Sequence, residues 1–202
     1  MLVAIALAAV AGLGAGLGTM WLSRSSDPFA PCRTSAVAGG AGAIGGPFTL
    51  VSEDGATVTE ADILAGPALV YFGYTFCPDI CPIDSARNAE AVDLLAERGH
   101  VVTPVLITVD PDRDTPQVLA EYTDYMHPRM IGLTGSPEQI AEAARAYKVF
   151  YRKMEAEDEF YLVDHTAFSY LMLPGVGFAD FFRRDMPADR LADRIACYLD
   201  AV

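Results

Sequence analysis

The sequence predicts an α/β fold in which helices flank a central mixed sheet. Short apolar runs of the length of buried strands alternate with helical segments along residues 47–202. A cysteine pair, Cys77 and Cys81, directly follows one of these runs, where a helix begins. Because a dithiol at a strand-to-helix junction is typical of the thioredoxin-like class, we expect that fold for this part of the chain.

The first half of the folded part carries clear signals for each element. Residues 53–55, Glu-Asp-Gly, separate two short β-like runs and predict a hairpin. The run "ALVYFGYT" at 68–75 and the run "VVTPVLITV" at 101–109 have the length and composition of buried strands. Between them, residues 82–98 are predicted to form a helix that Gly99 closes. Its apolar side would carry Ile83, Ala86, Ala89, Ala91, Leu94 and Leu95.

The second half begins with a proline-initiated helix. Pro116 stands at the first position of a helix that runs to about Met126. A short strand around "MIGLT" precedes a helix from Ser136 to Tyr147, and Pro187 opens the last helix. Further strands are predicted near 149–153, 160–163, 168–173 and 177–182.

An uncharged apolar segment occupies the N-terminus. Residues 2–22 have the length that a membrane helix needs, so we predict a transmembrane anchor over 1–22. A cleaved signal peptide is the competing interpretation, but no basic region precedes the apolar run and no small-residue cleavage site follows it closely. Because Arg24 and Arg33 follow the run, the positive-inside rule gives little support to an exported C-terminal part. Residues 23–46, rich in Ser, Ala, Gly and Pro, are predicted to be a flexible linker.

Composition and size exclude some functions. The 202 residues include 27 acidic and 14 basic side chains, for a net charge of −13, which argues against a nucleic-acid partner. The part from 47 to 202 is large enough to be stable without a disulfide, so its cysteine motif is available for chemistry. We expect Cys32, in the linker, and Cys197, in the last helix, to be unpaired.

The cysteine motif reads C-x-x-x-C, one residue wider than the C-x-x-C of thioredoxins. The N-terminus of the following helix would favour the thiolate forms of Cys77 and Cys81. Copper(I) prefers soft thiolate ligands, and copper(II) adds a preference for imidazole. The wider spacing suits two thiolates that converge on one soft ion, but it also permits a disulfide, so both a metal site and a redox dithiol remain open.

The candidates for a third ligand are the histidines, of which the chain has three. His100 and His127 stand at predicted helix ends, where we expect them to be solvated turn residues. His165, in "VDHTAF", lies between two β-like runs, in the part of a thioredoxin-like fold that approaches the cysteine pair. It is either a loop residue or a metal ligand, with Asp164 as a candidate to orient its imidazole. Asp79, between the cysteines, is expected to cap the helix or to modulate the thiols.

The acidic residues after the second buried strand need a separate interpretation. Asp110, Asp112 and Asp114 have the spacing of the first ligands of a calcium loop. However, Thr115 stands where such a loop has glycine, and Pro116 begins a helix inside it. We therefore predict a turn, with Asp114 or Thr115 capping the helix.

Three motifs together resemble the Sco/SenC/PrrC family: "FGYTFCPDICP", "VDPDRDTP" and "VDHTAFSYLM". The resemblance covers about residues 46–200. It implies a membrane-tethered, thioredoxin-like copper chaperone that delivers one copper ion, Cu(I) or Cu(II), to the dinuclear copper centre of a haem–copper (cytochrome c) oxidase. Carried over by the motifs, the copper ligands would be Cys77, Cys81 and His165. The family often has an acidic residue after "YLM", where this chain has Leu173.

The resemblance also implies partners and a location. The main partner would be the copper-centre subunit of the oxidase, with another periplasmic copper chaperone or a thiol reductant as further partners. The soluble domain would lie in the periplasm or an equivalent space, held to the membrane through residues 2–22. The alternative is a thiol–disulfide oxidoreductase that keeps the cysteines of the oxidase copper site reduced, with Cys77 as the attacking and Cys81 as the resolving thiol.

Overall fold

A computed structural model describes residues 27–33, 40–155 and 160–202. The chain divides into two compact units, residues 1–31 and residues 32–202. In the first unit the described residues form a turn, in which the Asp27 carboxylate accepts a hydrogen bond from the backbone N–H of Phe29 at 3.0 Å. The predicted anchor at 1–22 lies outside the described residues. In the part of the chain that is described, no helix combines the length and the apolar character needed to cross a membrane.

The second unit is built on a seven-stranded mixed sheet. Its strands are β1 (Thr49–Ser52), β2 (Thr57–Thr59), β3 (Ala68–Gly73), β4 (Thr103–Thr108), β5 (Ile131–Thr134), β8 (Phe168–Leu173) and β9 (Gly177–Arg183). Their order in the sheet is β2-β1-β5-β4-β3-β8-β9. Strands β3, β4 and β5 run parallel, and the other neighbouring pairs are antiparallel. All six residues of β3 are buried, as its continuous apolar sequence predicts.

A short 3₁₀ helix (Ala41–Ala43) and the helices α1 (Glu60–Ile63), α2 (Ile80–Glu97), α3 (Pro116–Met126), α4 (Pro137–Ala146) and α5 (Ala188–Leu199) complete the unit. The predicted cap of α3 is confirmed at Thr115, and Ser136 caps α4 in the same way. The hydroxyl of Thr115 accepts a hydrogen bond from the backbone N–H of Val118 at 3.3 Å, and Ser136 forms a capping box with Gln139. After α2, Gly99 has φ +87°, a left-handed conformation that glycine adopts without steric cost.

A separate two-stranded hairpin carries the histidine of interest. It consists of β6 (Tyr151–Lys153) and β7 (Val163–His165), with Tyr151 opposite His165. The sequence predicts the second of these strands at 160–163, so the strand lies slightly later than expected. As a result, His165 is the last residue of a strand rather than a loop residue.

The buried side of α2 differs from the prediction. Ile83 is 57% exposed and Ala86 also faces solvent, whereas the charged residues Asp84 and Arg87 are buried. The reason is a polar network under the helix. The guanidinium of Arg87 donates to the Ser169 hydroxyl at 2.7 Å and to the backbone carbonyl of Arg183 at 2.9 Å. Buried polar groups with such partners are stable in a core, but apolar periodicity does not reveal them.

The expectation that Cys32 and Cys197 are unpaired is wrong, because they form a disulfide with a Cα–Cα distance of 5.7 Å. The Arg194 side chain also donates a hydrogen bond to the backbone carbonyl of Cys32. Residue 32, in the predicted linker, is therefore joined covalently to α5. The partners are 165 residues apart in sequence, so no local pattern relates them. Cys77 and Cys81 are free thiols.

Candidate metal centre

The two free thiols lie where β3 leads into α2. The helix begins at Ile80, so Cys77 lies in the preceding loop and Cys81 in the first helical turn. The backbone N–H of Cys81 donates to the Cys77 sulfur at 3.4 Å, which brings the sulfur atom over the open end of the helix. Both cysteines are buried, with 9% of Cys77 and none of Cys81 exposed.

The end of β3 fits closely around Cys81. A Cβ atom added to Gly73 would lie 2.7 Å from Cε1 of Tyr71 and 3.3 Å from the Cys81 sulfur. Only glycine fits at this position, because any side chain would push the tyrosine ring and the sulfur away. The sequence shows this glycine directly before the motif, but its contact with Cys81 depends on the fold.

The two thiols have opposite pKa shifts. Burial raises the pKa of Cys77, but hydrogen bonds from the backbone at Asp79, Ile80 and Cys81 and from the Cys81 side chain outweigh it and lower the pKa overall. Burial, followed by the neighbouring Cys77 thiol, raises the pKa of Cys81. The predicted stabilisation of a thiolate by the helix N-terminus therefore holds for Cys77 and fails for Cys81, which buries its sulfur more deeply.

His165 reaches the thiols from the hairpin. Its Nε2 atom lies 3.3 Å from the sulfur of Cys81. The imidazole, 9% exposed, makes edge-on contacts with the rings of Tyr71 and Tyr74, with centroids 6.1 and 5.9 Å away. These aromatic walls exclude water from the imidazole and limit its rotation.

The hydrogen bonds of His165 determine which ring nitrogen carries the hydrogen and which has a free lone pair. Its Nδ1 lies 3.2 Å from the backbone carbonyl of Thr166, which can only accept, so Nδ1 carries the hydrogen. Burial lowers the pKa of His165, so the ring is neutral near pH 7 and Nε2 is unprotonated. Cys81 can then donate its S–H to Nε2. An unprotonated Nε2 beside a thiol is the form of histidine that binds metal ions.

Asp79 and Asp164, the two predicted helper residues, do not make the hydrogen bonds expected of them. Asp79 is the N-cap residue of α2, but its side chain makes no capping hydrogen bond. The Asp164 carboxylate is 57% exposed, and the Arg152 guanidinium approaches it at 3.9 Å. The carbonyl of Thr166, rather than Asp164, orients the imidazole. This follows from strand geometry, because adjacent residues of β7 point to opposite faces.

The other two histidines have structural contacts. His100 pairs with Asp200 at 3.2 Å at the surface. His127 was expected to be solvated, but it is only 5% exposed, with Nε2 3.0 Å from Asp93 and Nδ1 accepting from the backbone N–H of Arg129 at 3.0 Å. His127 is the C-cap residue of α3, and these contacts explain its burial.

A buried acid beside the site has no clear signal in the sequence. Asp84, 1% exposed, accepts a hydrogen bond from the Tyr71 hydroxyl at 3.2 Å and lies 3.7 Å from Nε of Arg184. Burial raises the pKa of Asp84, and that of Tyr71 is raised by burial and then by the charges of Cys81 and Asp84. The polar side of the site thus extends under α2.

Two sulfur donors and one imidazole nitrogen lie around Cys81. The Cys81 sulfur is 3.3 Å from Nε2 of His165, and the Cys77 sulfur is 3.4 Å from the Cys81 backbone nitrogen. Across residues 27–33, 40–155 and 160–202, no group of three His, Cys, Asp or Glu side chains already has the geometry of a metal site. The donors are, however, the types that a copper ion prefers: thiolates for copper(I), with imidazole added for copper(II). Both cysteines are free thiols, so the fold defines a thioredoxin-like protein with a histidine beside its dithiol.

Comparisons with known proteins place this chain in a family. The SCO1/SenC family model matches residues 37–200, and the chain belongs to that family. The protein SenC of Rhodobacter capsulatus is 55% identical over 196 residues, which cover 96% of this chain and 88% of SenC. The thioredoxin-like fold with a central mixed sheet is therefore confirmed, and it is shared by Sco proteins of known structure.

Two of those structures were solved with copper bound. Arabidopsis thaliana ScoI with copper bound has a TM-score of 0.77 and 46% identity, over 79% of this chain and 100% of that one. Bradyrhizobium japonicum ScoI with copper bound has a TM-score of 0.70 and 35% identity, over 77% and 99% of the two chains.

Proposed function

We propose that this protein is a copper metallochaperone that binds one copper ion through Cys77, Cys81 and His165. The observation that carries the proposal is the contact between the Cys81 sulfur and Nε2 of His165, with the Cys77 sulfur on the adjacent backbone N–H. Copper is cargo in this proposal, received and passed on. The similar Sco proteins with copper bound support this choice of metal.

Binding and release follow from the ligand types. Copper binding displaces the protons of the two thiols, so a reduced dithiol is required and the Cys77–Cys81 disulfide cannot bind. The neutral imidazole adds its Nε2 lone pair, which favours copper(II) more than copper(I). Release to a recipient dithiol occurs by exchange, as each recipient sulfur replaces one sulfur of this site. We propose the dinuclear copper centre of a haem–copper oxidase as the recipient, which the motif resemblance supports.

An extracytoplasmic location, with residues 1–22 as a membrane anchor, is part of the proposal. The Cys32–Cys197 disulfide supports it, because structural disulfides persist mainly in oxidising compartments such as the periplasm. In the same compartment Cys77 and Cys81 would need a thiol reductant, or early occupation by copper, to stay available.

A second function, thiol–disulfide oxidoreductase, is favoured by the opposite pKa shifts of the two cysteines. The Cys77 thiolate would attack one sulfur of a recipient disulfide, forming a mixed disulfide and releasing one recipient thiolate. Cys81 would lose its proton to Nε2 of His165 and attack the Cys77 sulfur, which releases the second recipient thiolate. The recipient gains two electrons, and a thiol reductant must then reduce the Cys77–Cys81 disulfide.

The two functions are separated by supplying one recipient in two states. Copper-loaded protein is mixed with the reduced, copper-free soluble domain of an oxidase copper subunit, and the absorption of the dinuclear centre is followed. Copper-free, reduced protein is mixed with the oxidised domain, and free thiols are counted by mass after alkylation. A chaperone produces the dinuclear spectrum in the first mixture. If new thiols appear in the recipient in the second mixture and no copper is transferred in the first, the oxidoreductase would replace the chaperone proposal.

A further inference from the structure

The hairpin that carries His165 needs support from outside its own strands. In the described part of the chain, β6 and β7 pair with each other and not with the seven-stranded sheet. Only two residues, Thr166 and Ala167, separate His165 from β8, which limits the displacement of the backbone at that end. Side-chain contacts with neighbouring segments therefore contribute to the tilt of the hairpin over the thiols.

Those contacts are made with the loop that follows β4. The hydroxyl of Tyr161 donates to the Asp110 carboxylate at 2.7 Å, and the Lys153 ammonium lies 3.6 Å from the Asp112 carboxylate. A further bond joins the hairpin to the end of β3, where the Tyr74 hydroxyl accepts from the backbone N–H of Val163 at 3.2 Å. The loop at 110–114 thus contacts the histidine side of the site.

Arg113 is the central residue of this contact. Its Nε donates to Asp110 at 2.5 Å, and its guanidinium carbon lies 3.6 Å from the ring centroid of Tyr161. The same guanidinium is 4.9 Å from the centroid of Phe76, the residue before Cys77. A guanidinium over an aromatic face is attracted by the ring, more strongly where water is excluded. Arg113, with a side chain 17% exposed, lies between the two halves of the site.

The other end of the loop is bound to the cysteine side. The Asp114 carboxylate, fully buried, accepts from the Thr75 backbone N–H at 3.0 Å and from the hydroxyls of Thr75 and Thr108 at 2.6 Å each. Thr75 lies two residues before Cys77. One short loop therefore holds both the segment that leads to the cysteines and the hairpin that carries the histidine.

We propose that Arg113, held by Asp110 and stacked on Tyr161, is a positioning residue that keeps His165 over Cys77 and Cys81. It touches neither sulfur nor imidazole in this arrangement and acts by fixing the tilt of the hairpin. Loss of Arg113 should displace the imidazole and leave the dithiol in place. The inference rests on the proposed function for its copper readout, but the hairpin contact itself does not depend on copper.

The test is a double-mutant cycle in the full chain, solubilised in a nonionic detergent. Copper(II) and copper(I) affinities are measured by chelator competition for Arg113→Ala, His165→Ala and the double variant. We expect Arg113→Ala to weaken copper(II) binding about tenfold, within the range for outer contacts of metal ligands, and copper(I) binding much less. In the His165→Ala background the same substitution should have no further effect on copper(II). An equal loss in both backgrounds, or no loss in either, would overturn the proposal.

Matched variants separate positioning from general damage. Arg152→Ala removes a 65% exposed arginine of the same hairpin and should leave both affinities unchanged. Tyr161→Phe keeps the ring under Arg113 but removes the hydrogen bond from the Tyr161 hydroxyl to Asp110. Its loss of copper(II) affinity should therefore be smaller than that of Arg113→Ala. Tyr125→Phe, at an 85% exposed tyrosine, controls for the change of residue type.

A measurement without copper distinguishes failure of this inference from failure of the proposed function. Amide hydrogen exchange of the copper-free protein is compared for Arg113→Ala and Arg152→Ala. We expect faster exchange at Val163 and Thr166 only in Arg113→Ala, with β3 unchanged. If the unsubstituted chain binds no copper, the proposed function fails and this exchange pattern still decides the role of Arg113. Equal exchange in the two variants would refute it.

Discussion

The side chains of Cys81 and His165 meet across 84 residues of sequence, with 3.3 Å between the sulfur and Nε2. The backbone carbonyl of Thr166 accepts a hydrogen bond from Nδ1, so the free lone pair, on Nε2, is directed at the thiol. A thiol and an imidazole that are both neutral, buried and in contact can release one proton together and bind a soft cation. The predictions below follow from this contact and its surroundings.

Replacement of His165 by alanine should affect the two oxidation states of copper unequally. We expect copper(II) binding to weaken by at least about 100-fold, the upper end of what loss of an outer contact costs. Copper(I) binding should weaken less, because two thiolates satisfy that ion. Separate titrations against chelators of known affinity measure both. His100→Ala, at a surface histidine paired with Asp200, is the matched control, and equal losses for the two ions would contradict a role in copper(II) binding.

The thiols should react with alkylating agents in different pH ranges. The lowered pKa of Cys77 means that its thiolate persists to lower pH, so its alkylation rate should level off at lower pH than that of an ordinary thiol, whose pKa is about 8.5. The raised pKa of Cys81 keeps it protonated, so its rate should still be rising well above that pH. Iodoacetamide kinetics of Cys81→Ser and Cys77→Ser, copper-free, report one thiol each. Profiles that coincide, or that are reversed in order, would refute the assignment of Cys77 as the attacking thiol.

Removal of the Cys32–Cys197 disulfide should reduce stability without changing the site. The double variant Cys32→Ser/Cys197→Ser should lose about 2–4 kcal/mol of unfolding free energy, as is usual for a bond that closes a long loop. Urea unfolding measures the loss, and copper affinity should stay the same. Unsubstituted protein in which this bond has been reduced provides the control and should reach the same stability. An unchanged unfolding midpoint would show that the disulfide adds nothing to the fold.

Gly73→Ala should disturb the site from the strand side. The new methyl group would lie 2.7 Å from the Tyr71 ring and 3.3 Å from the Cys81 sulfur. We expect a loss of about 1–3 kcal/mol in stability, as for other overpacked cores, together with weaker binding of both copper(I) and copper(II). Gly66→Ala is the control, since a methyl group there meets no atom within 4 Å. Wild-type copper affinity in Gly73→Ala would mean that the sulfur tolerates displacement.

The parts of this structure that local chemistry determines could be predicted from the sequence. The buried strand before Cys77 follows from its apolar run, and the cap at Thr115 follows from a side chain that accepts a backbone hydrogen bond. The approach of His165 to the cysteine pair followed from the order of elements expected in a thioredoxin-like fold. Its role as a copper ligand, with Cys77 and Cys81, stays a prediction.

Contacts between distant residues could not be predicted in the same way. The buried face of α2 was misassigned because Arg87 is satisfied by Ser169, 82 residues away. The Cys32–Cys197 disulfide and the burial of His127 against Asp93 likewise depend on how elements pack. Asp164 was expected beside the imidazole because it is adjacent in sequence, but the alternation of a strand directs it away. In each case the deciding partner is set by the fold.

The measurement that tests the central claim most directly is the copper content and visible spectrum of the full chain in detergent. The protein is reduced, freed of reductant under anaerobic conditions, and loaded with copper(II) beside Cys77→Ala, His165→Ala and His100→Ala. The account predicts one tightly bound copper with a thiolate-to-copper(II) charge-transfer band in the unsubstituted protein and in His100→Ala, and loss of that band in the other two. A band and stoichiometry unchanged in His165→Ala, or no retained copper in the unsubstituted protein, would contradict the three-ligand site.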